Sequence, residues 1–436
     1  MAHESHSHAK TLPAQLGAPA FVNAWKMRAF VIGVVALVLG LIVALAGPAM
    51  GDTYAWEHAV RAWLLGLMIT FGFAVGGLAL LMVQYCSGGK WGLLLRRPLE
   101  AMSRTLWVVL IYWAVMAAGI SKLYMWASPA LIQRGVNLGQ ITGSQLEAIN
   151  HAIAFKHGML NPGMFVGVSL FCFGIWFFYM YRLTRLSLKR EADSPANTPY
   201  WIKKLENISG PGIVVYSLTM TAAAIYWVMS LDVTWYSTIY GLLFIVGQGY
   251  SVLALGIITS ISLSKDEPYK TILRQTEQHD LGKLTFAFVM LNIYIAFGQF
   301  LIIWSGNLPE EINWYLDRIR GGWGVIITLD FIFHWVIPFA MLLSRDIKRN
   351  KKRLVKVCQW MIFARCFDMF WLIEPNFKDA ARNLHFSWGI LEYVFVPVAM
   401  ISFWVYAYCM QLQSRPLVQV NDPHLQEILE PEHAHA

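Results

Sequence analysis

Charged residues are scarce in this sequence. Only 14% of its 436 residues are Asp, Glu, Lys or Arg, whereas 57% are hydrophobic. A soluble domain carries about 25% charged residues, so the composition excludes a soluble globular protein. The hydrophobic residues form runs of about 20, which is the length of an α-helix that crosses a bilayer. Alternating segments of about ten residues, typical of membrane β-barrels, are lacking. The sequence therefore predicts an all-α polytopic membrane protein.

Cysteine patterns that hold redox centres are also lacking. The chain has five cysteines, scattered in or beside hydrophobic runs, and no two are spaced C-x-x-C. Because the C-x-x-C-H motif is lacking, covalently attached haem c is excluded. The scattered cysteines also give no support to an iron–sulfur cluster. Non-covalent haem needs two facing histidines, but only His334 lies deep in a hydrophobic run. We therefore expect no cofactor bound by this chain and no metal site, because the tail histidines lack acids or cysteines to complete one.

Ten transmembrane helices are predicted between residues 27 and 411. Their approximate ranges are 27–47, 63–86, 105–127, 161–182, 213–231, 237–262, 284–304, 323–344, 354–373 and 389–411. Similar basic exits after the fourth and eighth spans predict two parallel four-helix bundles, at about 63–231 and 237–373, with the first and last spans as flanking helices. Residues 1–26 and 412–436 are predicted to be soluble, mobile tails. A capping-box pattern at Ser144 and Glu147 predicts a short helix over 144–157.

The distribution of positive charge predicts the orientation. Twenty-five of the 34 Lys and Arg residues fall in the tails and the even-numbered loops, eight fall on the opposite side, and Arg365 lies inside a span. Positive residues are enriched on the cytoplasmic side of membrane proteins, so both termini are predicted to be cytoplasmic. The positive residues behind the formal charge of +8 lie in short loops between the hydrophobic runs. They therefore indicate the orientation of a protein surrounded by lipid, and not a nucleic-acid partner.

The eighth and ninth spans hold the residues that are most costly in a membrane. Asp330 and His334 share one face of the eighth span, and Arg365 and Asp368 share one face of the ninth. A charged side chain at the bilayer centre costs about 2.5–3.5 kcal/mol, so packing alone does not explain them. Pro338 cannot donate to the carbonyl of His334, which leaves that carbonyl for a water or a polar partner. Two interpretations stay open, a structural ion pair that joins two helices and a route for protons.

Further acids are predicted near the outer side. Asp232 and Glu374 lie at the ends of the fifth and ninth spans, and Glu392 lies early in the tenth. The inner half of the spans offers amides and hydroxyls instead, among them Gln248, Ser251, Thr259, Asn292 and Tyr294. A series of acids with one histidine is typical of proton relays. The pattern therefore indicates an outer half-channel with a less charged inner continuation.

A second polar group is predicted at the outer surface. His151, His157, Lys122 and Tyr124 would provide polar partners for a quinone near the interface. The alternative is an interfacial anchor in which the lysine extends to the headgroups. His385 is also predicted at the outer edge.

Three long motifs carry a resemblance to a known family. SLDVTWYSTIYG at 230–241, the FIFHWVIPFAMLLSRDIKRN run ending at Asn350, and RCFDMFWLIEPNF at 365–377 resemble the ActF membrane subunit of alternative complex III, a relative of the NrfD and PsrC membrane proteins. The resemblance covers the ten predicted spans, and LNPGMF at 160–165 also fits it.

This resemblance implies a role in a respiratory quinol:electron-acceptor oxidoreductase of the bacterial inner membrane. Its partners would be a sister ten-helix ActC-like subunit that holds the quinol site, an iron–sulfur subunit, haem c subunits, small membrane subunits and a terminal oxidase. ActF-like chains are implicated in proton passage and assembly, which falls here on Asp330, His334, Asp368, Asp232 and Glu374. Quinol binding by this chain itself and a stand-alone ion-coupled transporter are the alternatives.

Overall fold

All regular structure that the chain shows is helical. The computed structural model describes residue 11 and residues 15–52, 54–377 and 388–429, and no strand occurs among them. The all-α prediction is therefore confirmed for this part of the chain. Lys378, Arg382 and His385, which the sequence places in an outer loop, lie outside the described residues, as do the tail histidines.

Fourteen helices position the residues discussed below. They are α1 (Phe21–Ala46), α2 (Ala55–Ser87), α3 (Trp91–Ser103), α4 (Leu106–Ala118), α5 (Gly143–Lys156), α6 (Pro162–Ala192), α7 (Thr198–Trp227), α8 (Tyr240–Leu263), α9 (Gln275–Gly306), α10 (Pro309–Ile319), α11 (Trp323–Leu343), α12 (Lys351–Ile373), α13 (Glu392–Gln413) and α14 (Pro423–Leu429). Shorter helical segments lie at Gly47–Met50, Ile120–Leu123, Met125–Ala127, Pro129–Asn137, Pro195–Asn197, Met229–Leu231, Tyr269–Ile272, Arg345–Arg349, Glu374–Asn376 and Trp388–Leu391.

Nine helical segments of the described residues are long and apolar enough to cross a membrane. They correspond to the predicted spans except the ninth. Helix α12 spans 23 residues, but its basic start together with Arg365 and Asp368 makes it too polar to be recognised by composition. The predicted total of ten spans is therefore not confirmed, although a helix occupies each predicted position.

Two helices form the centre of the protein. In the most apolar stretch of 18 residues, 94% of the residues of α2 and 78% of those of α8 are buried. Both are hydrophobic on all sides, as expected for a helix surrounded by other helices. Gly76 on α2 faces Gln248 and Val252 of α8, where a β-carbon would lie 2.9 Å from Gln248 Cβ. Small residues of this kind allow membrane helices to approach closely.

The remaining helices pack around this pair. Helix α2 contacts α4, α7 and α12, while α8 contacts α7, α9 and α12. Because α7 and α12 each contact both central helices, the division into two four-helix bundles stays a prediction. Helix α13 packs along α1 and α2 as the flanking pair of helices. Helix α1 begins at Phe21, inside the predicted tail, and Lys26 already donates to Gln413 on α13 (3.1 Å).

Helix α11 is not a regular α-helix. Residues Trp323–Asp330 are α-helical, Phe331–Val336 form a π-helical segment, and the α-helix resumes at Ile337. Pro338 has no N–H to close the α-helical bond to His334, and widened turns of this type recur at functional sites. The π segment therefore begins directly after Asp330 and includes His334.

The helix predicted over 144–157 is α5, but its cap differs from the prediction. The capping box is formed by Thr142 and Gln145, not by Ser144 and Glu147. The helix starts one residue earlier than expected, so Ser144 lies within the first turn and Thr142 takes the N-cap position. Asn161 caps α6, because its side-chain oxygen accepts from the Met164 N–H (2.9 Å).

The C-terminal segment through Leu429 is packed and differs from the expected mobile tail. Asp422 and Gln419 are 4% and 2% exposed, and both contact Arg96 on α3. Gln419 also accepts from Arg190 on α6, and Leu417 N–H donates to the carbonyl of Leu16 (2.7 Å). The segment packs against the protein because it supplies hydrogen-bond acceptors to two buried arginines, one on α3 and one on α6. We call Arg96, Arg190, Gln419 and Asp422 the C-terminal clamp.

The clamp should loosen in acid. Burial raises the pKa of Asp422, but Arg96 and Arg190 outweigh it and hold the pKa below the ordinary value of 3.8. A carboxyl with a lowered folded-state pKa contributes stability above its unfolded pKa and loses it as pH falls through the folded one. We expect hydrogen exchange of residues 417–429 to accelerate below about pH 4.

The same release is expected at neutral pH in Asp422→Asn, because the buried arginines lose their charged partner at a cost of about 1–3 kcal/mol. Glu427→Gln is the matched control, since Glu427 pairs with Lys90 where both side chains are 42% exposed. Exposed pairs contribute about 0–1 kcal/mol. Equal exchange rates in the two variants would contradict a role for the clamp.

Candidate functional site

The four residues singled out in the eighth and ninth spans meet inside the protein. We call Asp330, His334, Arg365 and Asp368 the central cluster. Arg365 forms an ion pair with Asp368, and both side chains are buried. One ligand atom each of Asp330, His334 and Asp368 lies within 4.8 Å of the other two. The i, i+4 and i, i+3 spacings therefore direct two helix faces toward each other, as the sequence predicts.

Two members of the central cluster keep unused polar atoms. Asp330 Oδ1 and His334 Nε2 are buried and have no hydrogen-bond partner among the described residues. Buried polar atoms are nearly always satisfied, and exceptions require a reason. Both residues have a ligand atom within 4.8 Å of one of Asp368, whose carboxylate already pairs with Arg365. The arrangement offers proton acceptors next to a fixed charge pair, which a purely structural lock would not need.

Helix α8 completes the walls of the central cluster. Tyr250 donates its hydroxyl to the carbonyl of His334 (3.2 Å), and its ring lies 4.6 Å from the imidazole. Pro338 has no N–H to bond the His334 carbonyl, and the Tyr250 hydroxyl is the polar partner of that carbonyl. Gly247 lies against the guanidinium of Arg365, where a β-carbon would come within 2.5 Å of Cζ. A glycine is required there because any side chain would displace the arginine.

A small internal cavity adjoins the cluster. It has a volume of about 10 Å³ and is lined by Arg365, Gln248 and Ser251 together with apolar side chains of α2 and α8. A space of about 10–15 Å³ is what one water molecule needs. Because three polar side chains face it, the cavity is suited to one water between the central cluster and the centre of the protein.

Arg318 is a further buried cation, outside the central cluster. It is 1% exposed, donates to the Leu372 carbonyl (3.3 Å) and to Asn376 Oδ1 (2.7 Å), and lies 3.6 Å above the Trp314 ring. Burial lowers the pKa of Arg318 to about 10, and Tyr240 and Asp232 oppose the shift.

Tyr240 is a buried tyrosine near both Arg318 and the central cluster. It lies within electrostatic range of Arg318 and also of Asp368 and Arg365. Asp232 itself is half-buried and accepts from the backbone N–H and the hydroxyl of Thr234 (3.0 and 2.7 Å). Arg318 therefore interacts electrostatically with Asp232 on one side and with Tyr240 on the other.

A separate group of polar residues surrounds Glu374. We call Asp52, His58, Arg61, Glu374 and Tyr393 the rim cluster. Arg61 Nη1 lies 3.2 Å from Glu374, Tyr393 donates its hydroxyl to the same carboxylate, and His58 Nδ1 lies 3.0 Å from Asp52. The Gly389 N–H also donates to Asp52 (2.8 Å). Burial raises the pKa of Asp52. The charge of His58 and the N–H groups of Tyr54 and Gly389 together lower this pKa by more, so the net shift is downward.

Sequence reasoning missed several of these residues. Arg318, Arg61, Asp52 and His58 counted only as loop charges or were not considered, because each stands outside or at the end of a hydrophobic run. The spacing of His58 and Arg61 at i, i+3 was the one signal that would have placed two of them on one face of α2.

Not every predicted member of the proton route is supported by its position. Glu392 is fully buried, and neither of its oxygens has a hydrogen-bond partner among the described residues. It lies in a cavity beside α1, described below. Tyr294, suggested for the inner continuation, is 72% exposed, so its side chain points away from the protein interior. Asn292 is 5% exposed and remains compatible with it.

The four residues suggested for a quinone do not share one setting. Tyr124 is buried and donates its hydroxyl to the Trp227 carbonyl (2.8 Å), whereas Lys122, His151 and His157 are exposed. The neighbouring Lys156 donates to the Val233 carbonyl (2.7 Å), and burial lowers its pKa against the opposing charge of Asp232. These positions match an interfacial anchor better than a pocket, and the quinone site stays a prediction.

A metal ion is a poor match for the central cluster. Asp330, His334 and Asp368 offer three ligand atoms at suitable separations. However, Arg365 already pairs with Asp368, and its positive charge would oppose a cation at the same carboxylate. The arginine therefore makes the cluster unfavourable for a cation.

Helical spans, buried glycine contacts and an internal ionic cluster together define an α-helical multi-pass membrane protein. No protein-family model matches the chain, and no curated protein is significantly similar to it.

Proposed function

We propose that this chain is a membrane subunit of a respiratory quinol:electron-acceptor oxidoreductase of the alternative complex III type, and that it carries protons through the central cluster. The electron-carrying groups, haem c and iron–sulfur clusters, belong to partner subunits in this proposal. The three ActF-like motifs support membership of the assembly. The role in proton transfer rests on a different observation.

That observation is the meeting of Asp330 and His334 with the Arg365–Asp368 pair, each with an unused polar atom. Carboxyls and an imidazole are the groups that relay protons in membrane proteins, and here one ligand atom of each lies within 4.8 Å of the others. Arg318 interacts electrostatically with Asp232 and with Tyr240, and Tyr240 does so with Asp368, so in this proposal these residues form the outer side of the route. The cavity beside Gln248, which has room for one water, forms its inward side.

Membership of the assembly is tested by native purification. Affinity purification of the tagged chain in mild detergent should recover haem-containing partners, visible as a cytochrome c absorbance spectrum and as further subunits by mass spectrometry. The chain itself, separated from them, should show no haem absorbance. Recovery of the chain as a single species without haem would instead favour a stand-alone transporter.

A further inference from the structure

A cavity of about 210 Å³ lies between α1, α2 and α13, away from the central cluster. Its walls are almost entirely apolar, with Gly40 and Ala44 from α1, Trp63 from α2, and Val396 and Phe403 from α13. Leu37, Leu41 and Trp56 line it and are 46%, 50% and 48% exposed, so the cavity opens toward the lipid. A molecule dissolved in the membrane can therefore reach it.

One polar group in this cavity remains available. Trp63 Nε1 donates to the Tyr112 carbonyl (2.9 Å), and the Tyr112 hydroxyl donates to the Met400 carbonyl (2.9 Å). Glu392 is 0% exposed, and neither carboxyl oxygen has a partner among the described residues. Its Oε2 lies against Gly40, 3.5 Å from where a β-carbon would stand. Because Gly40 has no side chain, space is left beside this carboxyl at the wall of the cavity.

An unsatisfied buried carboxyl is costly. Leaving a buried acceptor without a donor costs about 1–3 kcal/mol, and more if the group is charged. A ligand that brings one hydroxyl removes this cost in either protonation state, because a carboxylate accepts and a carboxylic acid both donates and accepts. The rest of the ligand should be mostly apolar, because Trp63 and Tyr112 already use their polar atoms and the indole N–H of Trp56 is the remaining polar side-chain group among the described lining residues.

Size and lining indicate an aromatic head group. An apolar cavity of about 150 Å³ is sufficient for benzene, and this cavity is larger by about the space of a short alkyl segment. Trp56, Trp63 and Phe403 present rings that favour edge-to-face contact with a second ring.

We propose that this cavity binds a membrane-soluble phenol, with its ring among the aromatic side chains, its hydroxyl on Glu392 and its alkyl chain in the lipid between Leu37 and Leu41. The inference rests on the cavity alone and holds whether or not the chain belongs to a respiratory complex. An aliphatic alcohol would share the hydroxyl but not the ring.

Binding is tested with tritiated 4-nonylphenol and the full-length protein, with the subunits that accompany it, in phosphatidylcholine nanodiscs. Binding should be saturable, and 4-nonylanisole, whose hydroxyl is methylated, should compete at least about tenfold less well, which corresponds to about 1.4 kcal/mol for one hydrogen bond. 1-Nonanol should also compete more weakly than 4-nonylphenol.

Two variants localise the site. Glu392→Gln keeps an acceptor oxygen of the same shape and should retain affinity within about threefold, while Glu392→Leu should lose about tenfold or more. In Glu392→Leu the preference for the phenol over the anisole should disappear, which a folding defect would not produce. Equal competition by the phenol and the anisole in the unmodified protein overturns the hydroxyl contact. Equal competition by nonanol overturns the aromatic head, and non-saturable uptake overturns the site.

Discussion

Asp330→Asn should reduce proton flux through this protein to background while electron transfer by the assembled complex continues. Asp330 has an unpartnered oxygen next to His334 and Asp368, so it is the carboxyl that is free to take up and release a proton. Asparagine keeps the shape but cannot do so. A positioned proton-transfer group contributes about 100-fold or more to the rate, which is enough to bring the flux down to leak.

The measurement uses the complex reconstituted in liposomes, with a potassium diffusion potential driving protons and a pH-sensitive dye recording them. Electron transfer from a quinol is followed separately in the same preparation. Asp330→Glu restores a carboxyl and should recover part of the flux. Glu310→Gln is the control, since this acid is exposed in the first turn of α10. Parallel loss of proton flux and electron transfer in a fully assembled Asp330→Asn complex would refute the proposed separation of roles.

Arg365→Met should produce the largest loss of stability of any single change in the central cluster. Arg365 is 6% exposed and is the cation paired with Asp368. Removing one partner of a buried ion pair costs about 3–5 kcal/mol, because the other charge is left uncompensated. Asp330 lies beside the same carboxylate, so the variant would hold two acids without a cation.

The double variant Arg365→Met/Asp368→Asn should recover much of this loss, because it removes the charge that the first change exposed. Thermal unfolding of the single and double variants gives the coupling energy of the pair. Arg353→Met is the matched control, an exposed arginine near the start of the same helix, and should shift the midpoint little. Additive effects of the two cluster substitutions would mean that the pair is not coupled in the membrane.

The positions of the helices were predictable because hydrophobic runs of membrane length leave few choices. The contents of α11 and α12 were predictable for a related reason. Spacings of three and four residues put Asp330 with His334, and Arg365 with Asp368, on single helix faces. Charged side chains in a membrane are tolerated when they face the protein interior and pair with one another. The free-energy cost of exposing them to lipid therefore predicted that the two faces would meet.

Long-range contacts were not predictable in this way. Helix α12 is not among the nine helical segments that are apolar enough to cross a membrane, so the ninth span stays a prediction. The C-terminal clamp joins residues that are 323 and 326 positions apart, Arg96 with Gln419 and Asp422. Nothing local in the segment after α13 shows that it carries partners for buried arginines on α3 and α6. The rim cluster is similar, since Arg61 and Glu374 are 313 positions apart.

The α-helical membrane architecture and the two helices that carry buried charges follow from local composition, because the thickness of the bilayer and the cost of burying an ion act on each stretch of the chain separately. Three features required the three-dimensional structure: the pairing of those charges, the contact of Tyr250 with the His334 carbonyl, and the position of Glu392, without a hydrogen-bond partner among the described residues, in the wall of a cavity that opens to lipid. Those outcomes depend on how helices distant in the chain pack side by side, and packing is a property of surfaces that no single stretch of sequence contains.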